Sequence, residues 1–309
     1  MKIITITLNP AFDLHIFMSS FALNMENYAT EALKHAGGKG INISRALNNF
    51  GVQNTAYMVL GRDNADEFLS YLERDNLNCK YVLTDGRIRE NITIHANEKE
   101  TRISFEGFEL KKDLLNDLSD LVKNDADADC LVTFTGRLPR GITTEDAKKF
   151  LTEIKKTGAK LIVDCNSFSK EDLSEIKPFL IKPNQEEINQ LIGREIVGKE
   201  AVLKSAAYLK SLGVQNVMVT LGKDGLVFVG EDGTYDVKVP TINPVSTIGA
   251  GDSLIAGFVS ALVSKKDITD TLKWAAASGS AACLSAGTNP PKAEDMSLLE
   301  KEVFCKRLA

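Results

Sequence analysis

Ser246-Thr-Ile-Gly-Ala-Gly-Asp-Ser-Leu-Ile-Ala-Gly-Phe-Val-Ser-Ala-Leu-Val263 sets three small residues, Gly249, Ala250 and Gly251, before a carboxylate, Asp252, and then runs almost wholly apolar. A run with no polar face reads as a buried helix, because it has no side to give to water. The glycines free the backbone for a tight turn at its start. The first N–H groups of that helix then point at open space, with the positive end of the helix dipole behind them, which suits a phosphate or a developing anion. A carboxylate beside a bound phosphate repels it, unless its task is to take a proton from whatever attacks that phosphate. Asp252 therefore reads either as such a base or as a plain N-cap after a glycine turn.

Outward from this stretch, strand-like and helical segments alternate. Strand patterns lie near 2–8, 55–60, 129–134, 160–164, 179–182, 216–221 and 226–229. Helical patterns lie near 41–50, 64–75, 110–123, 143–157, 185–192, 199–212, 252–263, 268–286 and 294–306. Short apolar runs such as Cys130-Leu-Val-Thr-Phe134 and Leu161-Ile-Val163 are of the kind buried on both faces. The alternation predicts an α/β fold, a mainly parallel sheet covered by helices on both sides, with ligands at the carboxyl ends of its strands. Residues 11–35 and 87–108 break the rhythm and alternate instead, with Asp13, His15 and Phe17 sharing one face. They predict a small separate β-layer, placed to cover a site as a lid or to pair with its copy in another subunit. No repeat or Pro/Ser-rich linker divides the chain, so residues 1–309 are read as one domain.

Composition narrows the partners. The chain has 309 residues, 43% hydrophobic and 26% charged, ordinary for a soluble globular protein. A net charge of −5 leaves no general basic surface, so nucleic acid is not expected and an anionic ligand must be met by a local cluster of cations. Cys79, Cys130, Cys165, Cys283 and Cys305 are scattered with no C-x-x-C pair, as in a reducing cytosol. The N-terminus enters a strand directly, without signal-peptide architecture, and no apolar run is long enough to span a membrane. A cytoplasmic protein is expected.

Further segments carry polar chemistry beside the predicted strand ends. Ala36-Gly-Gly-Lys-Gly-Ile-Asn42 opens an amphipathic helix. It is neither a dinucleotide fingerprint nor a P-loop, because Ile43 stands where a third glycine should be and Gly40 where Ser or Thr is required. What remains is a glycine turn, with Gly38, that lets backbone and Lys39 approach a polar ligand, and Asn42 on the first helical turn. The alternative is a glycine-rich loop with a solvated lysine. Asp13, after Asn9-Pro10, could take hydrogen bonds from two adjacent sugar hydroxyls or could simply form a turn. Thr135-Gly-Arg137 puts a guanidinium at a strand end. In Lys182-Pro-Asn184-Gln-Glu-Glu187, Asn184 and Glu187 are three apart on one helix face, a spacing for the water shell of Mg²⁺ or for a capping box. Thr220-Leu-Gly222-Lys-Asp-Gly225 turns into a hairpin whose backbone could follow a nucleotide. His15, His35 and His95 are too few and too far apart in sequence to suggest a metal site, and are assigned to the lid.

Together these segments resemble the PfkB family of ribokinase-like carbohydrate kinases, from Thr7-Leu-Asn-Pro10 to Ser285-Ala-Gly-Thr288. Both family signatures are present in order, Gly37-Gly-Lys-Gly-Ile-Asn42 and Ser246-Thr-Ile-Gly-Ala-Gly-Asp252, with Lys182-Pro-Asn184 between them. The resemblance implies a ribokinase-like fold, a doubly wound sheet with a β-lid often used to form dimers, and phosphoryl transfer from ATP with Mg²⁺. It implies Asp252 as base, the N–H groups of Gly249, Ala250, Gly251 and Asp252 as anion hole, and Asp13, Gly38, Lys39 and Asn42 around the sugar. It puts Lys182, Asn184, Thr220, Gly222, Gly225 and Ser246 along the nucleotide and Glu187 on Mg²⁺ through water. It also points to a monovalent cation, K⁺, near Ser285 to Thr288.

The opening Thr7-Leu-Asn-Pro-Ala-Phe-Asp13, with Arg89-Glu-Asn91, resembles the sugar-phosphate branch, whose main members are 1-phosphofructokinase and tagatose-6-phosphate kinase. Ser104-Phe-Glu-Gly-Phe108 leans toward 1-phosphofructokinase. A phosphorylated sugar fits the placement of Lys39, Arg89, Arg102 and Arg137, since Arg–phosphate pairing is strong and geometrically specific. One departure stands out: Thr135-Gly-Arg-Leu-Pro139 replaces the family's Ser-Gly-Ser-Leu-Pro, so Arg137 occupies a small hydroxyl's place and is expected to add a phosphate contact. A nicotinamide oxidoreductase would share the α/β pattern but needs G-x-G-x-x-G after the first strand, which is missing. A catalytically silent sugar-phosphate sensor would lose the base, and Asp252 is intact. A nucleoside kinase is the distant alternative within the family.

Overall fold

The computed structural model describes residues 1–309 except Glu98 and Ala286. The first half runs β1 (Lys2–Thr7), β2 (Ala11–Phe17), β3 (Glu31–Gly37), α1 (Lys39–Asn49), β4 (Thr55–Gly61), α2 (Ala65–Arg74), β5 (Cys79–Thr84), β6 (Arg89–Ala96), β7 (Lys99–Ile103), α3 (Lys112–Asp125), β8 (Cys130–Thr135) and α4 (Thr144–Lys155). The second runs β9 (Lys160–Asp164), α5 (Lys170–Ile176), β10 (Leu180–Ile181), α6 (Gln185–Ile192), α7 (Lys199–Ser211), β11 (Asn216–Thr220), β12 (Leu226–Gly230), β13 (Gly233–Lys238), α8 (Ala250–Val263), α9 (Ile268–Ala282), α10 (Ala293–Glu300) and β14 (Phe304–Arg307).

Ten strands form the large sheet in the order β14-β13-β12-β11-β10-β9-β8-β1-β4-β5. From β5 to β11 all neighbours are parallel, and β12, β13 and β14 close one edge antiparallel. The strands are apolar on both sides because both sides are covered. Ile4, Val132, Leu161 and Val217 enter one core with α2 to α7, while Ile3, Leu131, Ile162 and Met218 enter another with α1, α8 and α9. Period-two alternation thus feeds two cores at once, which erases the polar face a one-sided strand would show. Helix α8 is buried along most of its length, packed against α1 and α9.

The small sheet has the order β3-β2-β6-β7, with β2 and β6 parallel and the other pairs antiparallel. It is built from the two stretches whose alternation set them apart. The face carrying Asp13 and His15 turns inward, at 6% and 2% exposure. Among the described residues no helix is long and apolar enough to cross a membrane.

Two expectations are corrected. The helix expected over 294–306 ends at Glu300, and Phe304–Arg307 pairs with β13 instead. Val303 is anchored in the core, so the chain leaves the helix beside the free edge of β13 and fills its hydrogen bonds. The helix expected to 286 stops at Ala282, and the Cys283 carbonyl accepts from the N–H groups of Val245 and Ser246. Strands β5 and β13 and the short helix α5 carry no strong local pattern. Helix α5 is set by a capping box in which Ser169 and Asp172 exchange hydrogen bonds.

Candidate active site

Polar side chains gather at the carboxyl ends of β1, β8, β9, β10 and β11, where an open parallel sheet offers a crevice. The starts of α1 and α8 close the same crevice. Gly249 caps helix α8, and a residue with Cβ would adopt its φ of 81° only under strain. The first helical bond is from the Ser253 N–H to the Gly249 carbonyl at 2.9 Å. The N–H groups of Gly251 and Asp252 precede it and face the crevice, whereas that of Ala250 turns toward the Thr247 carbonyl at 3.4 Å. Of the N–H groups expected to form the anion hole, that of Ala250 is thus turned inward.

Asp252 is 6% exposed, and its Oδ2 accepts from Asn42 Nδ2 at 2.9 Å. Burial raises its carboxyl from the ordinary 3.8 to about 6, with Lys39 and the Asn42 bond opposing and Asp164 adding to the rise. It is a carboxylate poised near neutral pH.

Lys39, the first residue of α1, is burdened by burial, yet the charges of Asp164 and Asp252 hold its ammonium well above the usual lysine range. Its Nζ donates to Asp164 Oδ2 at 2.9 Å. Lys182, only 5% exposed, lies 3.5 Å from Asp164 Oδ1 and beside Gly251 at the start of α8. Asp164 itself is fully buried; burial pushes its carboxyl up, but Lys182 and Lys39 outweigh that and hold it below the usual range. Two cations on one buried carboxylate make a fixed positive ledge facing Asp252. Asp164 was missed in the sequence reading. Its only signal was a carboxylate closing an apolar strand, Leu161-Ile-Val-Asp164.

The small sheet supplies the opposite wall. Asp13 accepts at Oδ1 from Asn91 Nδ2 at 3.0 Å and from Arg102 Nη2 at 3.4 Å. Gly37 comes so close to it that a Cβ there would lie 2.1 Å from Asp13 Oδ2, so the loop before α1 has no room for a side chain. Gly38 caps α1. Asn91 Oδ1 is buried without a partner, an acceptor beside Asp13 that awaits a hydroxyl. Arg89 Nη1 donates to the Phe105 carbonyl at 2.9 Å and Nη2 to the Asn9 carbonyl at 3.1 Å, bracing the base of the small sheet, while its buried Nε has no partner among the described residues. Burial, then the charge of nearby Arg137, lowers its basicity. Arg137 is exposed two residues beyond the end of β8, where it lines a pocket with Glu106, Arg140 and Ser167.

Beyond α8 lies a cavity of about 660 Å³ lined by Thr220, Gly222, Gly225, Ile242, Ala276 and Cys283. Its floor is the antiparallel turn from β11 into β12. Ser246, 4% exposed, accepts at Oγ from the Ile248 N–H at 3.2 Å and shapes the loop into α8. Asn184 and Glu187 form the capping box of α6: Asn184 Oδ1 accepts from the Glu187 N–H and Glu187 Oε2 from the Asn184 N–H, both at 2.9 Å. Glu187 also lines, with Asp164 and Lys182, a second cavity of about 390 Å³. No group of three or more His, Cys, Asp or Glu among the described residues is placed to hold a metal directly. Both oxygens of Asp164 face ammonium groups. That leaves Glu187, with one oxygen outside its capping bond, as the carboxylate that fits a Mg²⁺ keeping most of its water and taking its other ligands from a nucleotide's phosphates. The site expected for a monovalent cation includes Ala286, which lies outside the described residues.

The family model described as pfkB family carbohydrate kinase matches residues 7–295. The chain is 34% identical over 283 residues to a 1-phosphofructokinase of Borreliella burgdorferi, covering 91% of this chain and 92% of that one. It is 30% identical over 282 residues to a 1-phosphofructokinase of Escherichia coli (strain K12), covering 89% of each. Phosphofructokinase-2 from Escherichia coli, solved in complex with substrates and products, matches with a TM-score of 0.90 at 27% identity, over 98% of this chain and 99% of that one. The same relative in complex with potassium matches with a TM-score of 0.90 at 27% identity, over 97% and 98%.

Proposed function

This chain belongs to the pfkB family of carbohydrate kinases, and we propose that it transfers the γ-phosphoryl of ATP to the 6-hydroxyl of fructose 1-phosphate, giving fructose 1,6-bisphosphate and ADP. One observation carries the reading: the buried Asp252, with its carboxyl raised to about 6, stands beside the unpaired N–H groups at the start of α8. A base and an anion hole within one helical turn suit in-line attack of an alcohol on a phosphoryl group.

The sugar lies between the two sheets, its hydroxyls on Asp13, Asn91 and Asn42 and its chain against the Gly38 turn. Arg102 and Arg137 meet its phosphate. Asp252 takes the proton from the attacking hydroxyl, and the N–H groups of Gly251 and Asp252, with Lys182, receive the charge of the transferring group. Lys39 fixes Asp164, which in turn holds Lys182 in place. The nucleotide runs from this point along Asn184, Thr220, Gly222 and Gly225 into the 660 Å³ cavity. Glu187 would hold the water shell of a Mg²⁺, which when bound would neutralise phosphate charge. A K⁺ near the loop after α9 is part of the same reading, drawn from the relative solved with potassium.

The chain is one domain, with the small sheet as its lid. Leu23, Met25 and Tyr28, between β2 and β3, are more than 70% exposed, and Ile103 on β7 is 44% exposed. Such an apolar edge supports a homodimer formed through the lids. Cysteines that are all free suit the cytoplasm, where sugar phosphates are found.

The test is ADP release by the purified protein with Mg-ATP and fructose 1-phosphate, tagatose 6-phosphate, fructose 6-phosphate or fructose. The expected result is a kcat/KM for fructose 1-phosphate well above the others. A preference for tagatose 6-phosphate would keep the chemistry and overturn the choice of sugar. No turnover with any of the four would overturn the sugar-phosphate reading.

A further inference from the structure

The inward face of the small sheet carries a cluster of rings that the reaction above leaves unused. Register sets Phe17 of β2 beside His95 of β6, and His15 lies two residues before Phe17 on the same face. Phe17 and His95 stack with centroids 4.4 Å apart, and His95 stacks on His15 at 5.3 Å. His15 Nδ1 and His95 Nε2 are 3.0 Å apart, so one ring donates to the other. Glu100, opposite His95 on β7, lies 3.4 Å from His95 Nδ1. A carboxylate there favours the proton on that nitrogen, and assigns the remaining roles in turn. His95 Nε2 accepts, His15 Nδ1–H donates, and His15 Nε2 is left with its lone pair. Both His95 nitrogens are then engaged within the sheet, which leaves none for a metal.

His15 is 2% exposed, and its Nε2 is buried without a partner. The edge of the ring stands on the loop after α9: a Cβ on Gly287 would lie 3.2 Å from Nε2. The next residue, Thr288, packs against the start of α8, its Cα 3.6 Å from where a Gly249 Cβ would be. Thr288 Oγ1 is also buried and unpartnered. Contact therefore runs unbroken from the small sheet through His15, Gly287 and Thr288 to Gly249, the residue that shapes the anion hole.

We propose that His15 is a positioning residue that latches the lid onto Gly287 and Thr288 and so holds the start of α8 in the form that receives the phosphoryl group. His95 acts only through it, by fixing the orientation of the imidazole. The inference rests on the kinase reading. A latched lid keeps water from the site, so the γ-phosphoryl goes to the sugar hydroxyl and not to water. Asp13, Asn91 and Arg102 are bonded to one another within the small sheet, so an unlatched lid keeps their mutual geometry toward the sugar but loosens the anion hole and admits water.

The experiment compares His15→Ala, His95→Ala, the double variant, His15→Asn and His15→Gln, measuring kcat, KM, and ADP formed per sugar bisphosphate formed. His15→Ala should lower kcat by about 10- to 100-fold, as small misplacements near a reacting group do. KM for the sugar phosphate should stay within about 3-fold, because ground-state contacts are kept. The ADP-to-product ratio should rise above that of the wild type. The double variant should match His15→Ala. Gln, whose amide reaches the Nε2 position, should restore more of kcat than Asn, which reaches only the Nδ1 position. If His15→Ala lowers only the melting temperature, with kcat and the ratio unchanged, the latch is overturned; equal recovery by Asn and Gln also overturns it. Should His15→Ala not fold, the Gln, Asn and His95→Ala proteins decide the same questions. Should the wild type phosphorylate no sugar phosphate, hydrogen exchange in the ligand-free protein decides. Faster exchange at residues 249–252 in the His15 variants supports the latch, and unchanged exchange there overturns it, whatever becomes of the kinase reading.

Discussion

Asn42 donates from Nδ2 to Asp252 Oδ2 at 2.9 Å across 210 positions of chain, joining the first turns of α1 and α8. The two glycine turns are therefore two halves of one site, and the asparagine aims the carboxylate at the space between them. Asp252→Asn should keep that geometry while removing the proton acceptor. We expect kcat to fall by roughly 10²- to 10⁴-fold, the usual range for a general base. The sugar phosphate should still bind, as calorimetry would show. Turnover near that of the wild type would remove Asp252 from the role of base.

The same carboxylate sets a pH dependence. Burial raises its folded pKa to about 6 from the ordinary 3.8, so between those values the folded chain holds a proton that the unfolded chain has released. The stabilising contribution is complete below about pH 4 and is lost as pH rises through about 6. Above that, ionised Asp252 costs up to about 3 kcal/mol at roughly 1.4 kcal/mol per pKa unit. Asp252→Asn should thus melt higher than the wild type at pH 7 to 8, and the two curves should converge near pH 4. The kcat/KM of the wild type should fall on the acid side with an apparent pKa near 6. A melting difference independent of pH would show that Asp252 is not the buried titrating group.

Asp164 holds two ammonium groups, with Oδ2 toward Lys39 and Oδ1 toward Lys182. Removing it strands two cations in the protein, which in comparable buried pairs costs roughly 3 to 5 kcal/mol. Asp164→Ala should lose about that much in urea unfolding. Asp164→Asn should fold better, but with kcat reduced because Lys182 is no longer fixed beside Gly251. An Asn variant with normal kcat would mean that the pair serves stability alone.

The parts of this site that could be read from the sequence are those whose local chemistry is unusual. Gly249-Ala-Gly-Asp252 and Gly37-Gly-Lys39 stood out because glycines and charged groups rarely adjoin an apolar helix without cause. Apolar strands buried on both faces were legible for the same reason. What escaped was long-range. Asp164 reads as an ordinary strand end until Lys39 and Lys182 arrive from distant segments. Arg89 reads as a ligand contact, and its added grip on the carbonyls of Asn9 and Phe105 is invisible until the fold brings them together. His15, His35 and His95 looked scattered because register, not sequence distance, places His95 beside Phe17. Residues 304–307 joined the sheet because the edge of β13 needed a partner, which no local pattern reports.

Arg137 stands exposed at the end of β8, near enough to Arg89 to lower its basicity. Two guanidinium groups so placed repel each other until an anion comes between them, and under the proposed function that anion is the sugar's phosphate. Arg137→Ser should raise KM for the sugar phosphate about 10-fold, the equivalent of about 1.4 kcal/mol. KM for ATP should change little. Equal changes in both constants would place Arg137 outside the phosphate contact.

Glu187 has two tasks that a single substitution can separate. Its Oε2 closes the capping box with the Asn184 N–H, and its charge faces the cavity shared with Asp164 and Lys182. Glutamine keeps a capping oxygen and removes the charge, so Glu187→Gln should melt close to the wild type. Asn184→Ala, by contrast, loses the cap at a cost of about 1 kcal/mol. If the carboxylate orders the water of Mg²⁺, Glu187→Gln should need about 10-fold more Mg²⁺ for half-maximal rate, the lower end of outer-shell effects. KM for the sugar phosphate should not move, because the proposed sugar position lies on the far side of Asp252. A Mg²⁺ titration that superposes on the wild type would leave Glu187 as a helix cap and nothing more.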